Sequence, residues 1–92
     1  MTELNLHGIP LHMHDAVVRY VEHGIRPGSF LSAVFSNDFM GACNCADDVN
    51  RCCLFEYGRL LFSMPLGCHG SPDAVLEWIK QGGLRGLNGE AQ

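Results

Sequence analysis

The segment from residue 47 to residue 64 carries apolar side chains on almost every side of the helix that it predicts. Asp47 or Asp48 can begin this helix, and Pro65 ends it because proline disfavours helical backbone at the preceding residue. Its charged exceptions are Arg51, Glu56 and Arg59. Since a helix that is apolar all round lies in a core or at an interface, we expect one long central helix.

The chain has 92 residues, and this length is enough for one domain and too short for a second core. Charged residues make up only 17% of it. A domain of this size buries a limited fraction of its surface, so an abundance of apolar side chains favours self-association. We expect a single all-α domain over residues 1–92, assembled as a homo-oligomer, with a dimer as the expected form.

Two helices have clear start or stop signals. From Pro10 onward, apolar residues recur at helical spacing, and they are Met13, Ala16, Val17, Tyr20 and Val21. This pattern predicts a helix over residues 11–23 that Gly24 ends in a left-handed conformation, with Ile25 making the apolar contact of the cap. Ser71 as N-cap and Pro72 at the first helical position predict a last helix that Gly82 and Gly83 end.

Two shorter helices are expected between them. Ser29 is suited to be the N-cap of a second helix that carries Phe30, Leu31, Val34 and Phe35. Asn37 and Asp38 can cap a third helix over residues 39–43. With the long helix, these elements predict a compact bundle of about four to five short helices. Residues 1–10 are expected to form an N-terminal arm and residues 84–92 a loose tail.

Charge and hydropathy exclude several classes of function. Six Lys and Arg against ten Asp and Glu give a net charge of −4, which argues against binding nucleic acid by phosphate neutralisation. No apolar run approaches the roughly 20 residues of a membrane span, and residues 1–10 do not resemble a signal peptide. We expect a cytoplasmic protein, and therefore five free, reduced cysteines.

The cysteines and histidines do not form a recognised catalytic or metal-binding motif. Zinc sites usually pair ligands two to four residues apart, and the five cysteines contain no C-x-x-C. His12 and His14 would point to opposite sides of a regular helix. Cys68 and His69 are sequence neighbours without a third orienting group. We expect no enzyme, no cofactor and no metal, and a small metal-binding protein stays an alternative only if these residues converge.

A polar group of residues is the candidate ligand-binding site. It consists of Arg19, His23, Arg26, Asn37, Asp38, Asp47, Asn50 and Arg51. One interpretation is helix capping and surface solvation, because Asn and Asp are good cap residues. The other is a small anion or nucleotide pocket, in which arginines and helix N-termini hold phosphate. The two interpretations are compatible.

Several short motifs resemble those of a family of short helical proteins encoded in tailed-phage and prophage genomes. They are residues 19–25 (RYVEHGI), 27–31 (PGSFL), 36–38 (SND), 46–50 (ADDVN), Pro65, 70–72 (GSP) and Trp78. The resemblance implies an accessory protein of an infected bacterial cytoplasm, without an established catalytic residue. By analogy with small acidic phage proteins, it would antagonise bacterial immunity, either by sequestering a small nucleotide signal or by inhibiting a host defence or regulatory protein.

Overall fold

The structure, a computed structural model, describes residues 4–87, and every regular element in that range is helical. A 3-10 turn at Leu11–Met13 precedes seven α-helices. They are α1 (His14–His23), α2 (Ser29–Phe35), α3 (Phe39–Cys45), α4 (Asp48–Arg51), α5 (Leu54–Ser63), α6 (Pro72–Gln81) and α7 (Gly83–Leu87). The expected all-α class is confirmed, but the number of helices in residues 4–87 is seven rather than the expected four to five. None of these helices combines the length and the apolar character that crossing a membrane would require.

One core joins α1, α2, α5 and α6. The apolar stripe predicted for α1 is confirmed, since Val17, Tyr20 and Val21 are buried. Tyr20 stacks on Phe35 of α2 with ring centroids 4.7 Å apart. Its hydroxyl donates to the Cys68 carbonyl at 2.6 Å, and the Trp78 indole donates to the Tyr20 carbonyl at 2.9 Å. These bonds fix α1 against α6 and the loop before it.

Local capping signals explain most of the helix boundaries. Gly24 ends α1 with a φ of 67°, as predicted. Asp38, Asp47 and Ser71 are confirmed as N-caps, because each side chain accepts a hydrogen bond from the backbone N–H three residues later. Ile25, the residue expected to make the apolar contact of this cap, is 49% exposed.

The N-cap predicted at Ser29 is wrong by one residue. Gly28 is the N-cap of α2, and Ser29 is the first helical residue. The reason is that the extended Gly28 carbonyl already accepts the first helical hydrogen bond, from the Ser32 N–H at 2.9 Å. No side chain caps this helix.

The long central helix predicted over residues 47–64 is also wrong. Cys52 and Cys53 separate α4 from α5, and the Cys53 N–H turns back to the Asn50 carbonyl at 3.0 Å. Asp, Val, Asn and Cys are weaker helix formers than Ala or Leu, so this stretch has little intrinsic helical preference. The break is stabilised by a buried hydrogen bond in which the Tyr57 hydroxyl donates to Asn50 Oδ1 at 2.6 Å.

Both ends of the described chain pack on the bundle. In the expected N-terminal arm, Ile9 is buried, and the Asn5 N–H donates to Ser63 Oγ at 2.8 Å. Within the expected loose tail, residues 84–87 instead belong to α7, which packs against α1. Glycine at position 83 permits this contact, because a Cβ there would lie 2.6 Å from the backbone of residues 22–24. The rest of the tail, residues 88–92, lies outside the described residues.

Candidate functional site

Three of the eight candidate residues lie on the exposed surface at and after the end of α1. They are Arg19, His23 and Arg26. The Arg19 guanidinium donates to the Asp15 carbonyl of its own helix at 3.4 Å. For Arg19 and His23, this exposure follows from the helical periodicity, which turns Tyr20 and Val21 into the core. Arg26 lies in the turn between α1 and α2.

Asn37 and Asp38 lie at one end of an apolar groove between α3 and α5. Asn37 has a left-handed backbone with a φ of 63°, and the Asp38 carboxylate accepts from the Gly41 N–H at 2.9 Å. The groove has a volume of about 120 Å³. Its lining, hereafter the α3–α5 groove, consists of Ala33, Val34, Asn37, Asp38, Phe39, Ala42, Leu54, Tyr57, Gly58 and Leu61.

Asp47 and Asn50 lie together in a second, larger cavity of about 390 Å³. The rest of its lining, hereafter the α2–α4 cavity, consists of Met13, Ala16, Gly28, Ser29, Phe30, Leu31 and Cys45. The Asp47 carboxylate is held by the Asn50 N–H at 2.7 Å, and the Asn50 side chain is held by Tyr57. Burial raises the pKa of Tyr57 well above its ordinary value, so its hydroxyl stays protonated and donates this bond.

Arg51 interacts with a residue of its own helix and with Ala46, which lies two residues before that helix begins. Its guanidinium pairs with Asp48 at 3.2 Å and donates to the Ala46 carbonyl at 3.1 Å. An exposed ion pair of this kind contributes under about 1 kcal/mol to stability. The contacts of Arg51 are therefore with residues at the start of its own helix and just before it.

The eight candidate residues are thus divided among two cavities, the surface near the end of α1 and an ion pair on α4. The capping interpretation is confirmed for Asp38 and Asp47. Arg19, Arg26 and Arg51 do not line either the groove or the cavity. Neither of these two spaces therefore offers phosphate the arginine forks that the anion-pocket interpretation requires.

The cysteines occupy different environments. Cys45 and Cys52 are exposed, Cys43 and Cys53 are partly buried, and Cys68 is fully buried. Burial raises the pKa of the Cys68 thiol to about 12, which leaves it neutral at physiological pH. Within residues 4–87, no three His, Cys, Asp or Glu side chains are arranged to hold a metal ion.

Several exposed apolar residues are not among the eight candidate residues, although the segment that contains Phe55 and Phe62 was expected in a core or at an interface. On α3, Phe39 and Met40 are 69% and 71% exposed, and they form what we call the α3 patch. On α5, Phe55 and Phe62 are 74% and 94% exposed. With Gly58 and Arg59 they form the α5 patch. The apolar pattern of residues 47–64 predicts an unusual surface, but it does not indicate which side of the helix is exposed to solvent.

Comparison with known proteins found no match to this chain. No protein-family model, no curated protein and no solved structure matches the chain.

Proposed function

We propose that this chain acts by binding another protein rather than by catalysis. The observation that carries the proposal is the α3 patch beside the α3–α5 groove. The groove is lined mainly by apolar side chains, and its volume of about 120 Å³ is close to the roughly 150 Å³ that holds a benzene ring. An aromatic or branched aliphatic side chain of a protein partner would fill it, with Phe39 and Met40 packing around that side chain.

The proposal includes a homo-oligomer, a dimer in its simplest form. Phe62 and Leu66 are 94% and 95% exposed, and Phe55 is 74% exposed. Exposed aromatic side chains clustered on one helix favour an interface. The proposed dimer uses the α5 patch, which adjoins the α3–α5 groove at Gly58, and the α3 patch on the other side of the groove binds a different protein.

The motif resemblance to phage proteins gives the proposal its biological setting. In that setting, the chain is a phage accessory protein of the host bacterial cytoplasm, and it antagonises bacterial immunity. Its target would be a host defence or regulatory protein with an exposed apolar side chain. The acidic net charge of −4 is consistent with a protein partner rather than a nucleic acid.

Sequestration of a small nucleotide is the second candidate function. The observation that favours it is that Asp47 and Asn50 line the same α2–α4 cavity, where a carboxylate and an amide could bind the edge of a base. The absence of Arg19, Arg26 and Arg51 from its lining counts against tight binding of the phosphates. The protein-binding function is therefore the one that the geometry supports better.

A plaque assay distinguishes the two candidates. Bacteria carrying a panel of defence systems would express the chain and be challenged with phages that those systems block. We expect the wild type to restore plaques against at least one system. The variant Phe39→Ser/Met40→Ser should lose this effect. Asp47→Ser removes the carboxylate from the α2–α4 cavity while keeping a side chain that can cap α4, and it should keep the effect.

The opposite pattern would favour nucleotide capture. If only Asp47→Ser lost the effect, calorimetry against cyclic and ADP-ribose-type nucleotides would identify the ligand. If the wild type restored plaques against none of the systems, this result would contradict the anti-defence role.

A further inference from the structure

The outer face of α5 has the residue spacing of a helix-pairing surface. Phe55, Gly58, Arg59 and Phe62 follow one another at i, i+3, i+4 and i+7, so they lie along one side of the helix. Phe55, Gly58 and Phe62 are exposed. The opposite side carries Tyr57 and Leu60, which are buried in the core. The exposed stripe therefore faces away from its own bundle.

Gly58 lies where the α5 patch meets the α3–α5 groove, and no contact within a single copy requires a glycine there. It lies in the interior of α5, where glycine weakens a helix relative to alanine. A Cβ built at this position would meet no atom within 4 Å. Glycine in a helix interior lets a neighbouring chain approach the backbone closely. The patch thus has a shallow notch at its centre with a large aromatic side chain on each side.

Arg59 indicates the orientation in which two such helices could pair. Its guanidinium lies 5.6 Å from the centre of the Phe55 ring, which means that it leans toward the N-terminus of α5. In a parallel pair, both guanidinium groups would lean the same way and lie side by side. In an antiparallel pair they lean in opposite directions, so the like charges are separated.

Arg59 carries the charge of the α5 patch. Its Nε has no hydrogen-bond partner in residues 4–87, but this atom is already buried within the single copy, so a second molecule cannot reach it. The ion pairs of the same residues do not include Arg59 either. Arginine and aromatic side chains are the residue types that contribute most strongly to protein interfaces.

The register and the area fit a second copy of this chain. The midpoint between Phe55 and Phe62 falls between Gly58 and Arg59, so an antiparallel pair centred there is self-complementary. Exposed to 74% and 94%, the two phenylalanines would bury roughly 300 Å² per copy. With Leu66 and the neighbouring backbone, the total reaches roughly 500 Å² per copy, or about 1,000 Å² in all. This area is at the lower limit for a specific interface and below the roughly 1,200–2,000 Å² of most stable ones.

We infer that α5 pairs in antiparallel orientation with α5 of a second copy. Phe55 of each copy lies against Phe62 of the other, and the stem of each Arg59 crosses the notch at the other copy's Gly58. This inference rests on the proposed homodimer, and it specifies the surface and orientation that form it.

The first test is the substitution Gly58→Ala. A single copy has room for the added methyl group, and alanine favours the helix, so circular dichroism should show an undiminished helical signal. The methyl group would fill the notch, and we expect the dimer dissociation constant from sedimentation equilibrium to rise at least about tenfold. Phe62→Ser should raise it at least about thirtyfold.

Gly28→Ala is the matched control, because Gly28 is also exposed and a Cβ there would meet nothing within 4 Å. Its dissociation constant should stay within about twofold of the wild type. If Gly58→Ala and Phe62→Ser both dimerised as tightly as the wild type, the α5 pairing would be wrong although the homodimer would stand. A wild-type chain that stayed monomeric would overturn both.

The second test reports the orientation directly. A photoreactive benzoylphenylalanine replaces Phe62, and cross-linked dimers are isolated and digested with trypsin. Trypsin cleaves after Arg51, Arg59 and Lys80, so positions 55 and 62 fall in separate peptides, 52–59 and 60–80. A cross-link from position 62 to peptide 52–59 of the other copy is the expected result. A cross-link only between two copies of peptide 60–80 would indicate a parallel pair and overturn the inference.

Discussion

At the scale of single residues, the buried bond between Tyr57 and Asn50 fixes how α4 meets α5. Asn50 is only 3% exposed, and its side-chain oxygen accepts from the Tyr57 hydroxyl at 2.6 Å. A buried acceptor that loses its donor retains its full desolvation cost. An asparagine that the sequence indicated as a ligand-binding residue therefore has a structural role in the fold.

Removing this hydroxyl should destabilise the protein. We expect Tyr57→Phe to lower the free energy of unfolding by about 1–3 kcal/mol, measured by urea denaturation. The double variant Tyr57→Phe/Asn50→Leu removes both partners and should recover part of the loss. An unchanged unfolding midpoint in Tyr57→Phe would show that the bond contributes nothing.

The buried thiol of Cys68 predicts a loss of stability at alkaline pH. Burial raises its pKa from 9.0 to about 12, so above pH 9 the folded state holds a proton that the unfolded state releases. The contribution is present below pH 9 and is lost as the pH rises toward 12. Urea denaturation at pH 8 and pH 10 should show this fall, and Cys68→Ala should make it shallower. An identical fall in Cys68→Ala would assign the effect to other groups.

At the scale of elements, the helices with local signals could be predicted and the break between α4 and α5 could not. The end of α1 follows from Gly24, and the start of α6 follows from Ser71 and Pro72, all within one turn of the boundary. The break at Cys52 and Cys53 depends on a side-chain bond that forms only when both helices pack on the core. Apolar periodicity does not contain that information.

The turn after α1 offers the most direct test at this scale. Gly24 has a φ of 67°, and a Cβ there would lie 2.8 Å from both the Gly83 N and the Trp78 O. We expect Gly24→Val to lower the free energy of unfolding by more than about 1 kcal/mol. The control Gly28→Ala, with open space at its Cβ, should lose only about 0.5 kcal/mol. Equal losses in the two variants would contradict the role assigned to Gly24.

At the scale of the whole molecule, the sequence predicted the helical class and an unusual apolar surface, but not the arrangement of the candidate site. Asp38 and Asp47 could be identified as caps because a cap is a local feature. Whether Arg19 and Arg51 share a pocket depends on how α1 and α4 are placed, and sequence spacing does not determine that placement. The α3–α5 groove forms between elements and has no sequence motif of its own.

The mass of the protein in solution across micromolar concentrations shows whether the proposed α5 dimer forms. Sedimentation velocity should return twice the chain mass of 10.1 kDa for the wild type. The variant Phe55→Ser/Phe62→Ser should return the mass of a single chain with an unchanged helical signal, because both side chains are exposed. A wild-type mass of 10.1 kDa at every concentration, or a dimer that survives both substitutions, would contradict the proposed α5 dimer.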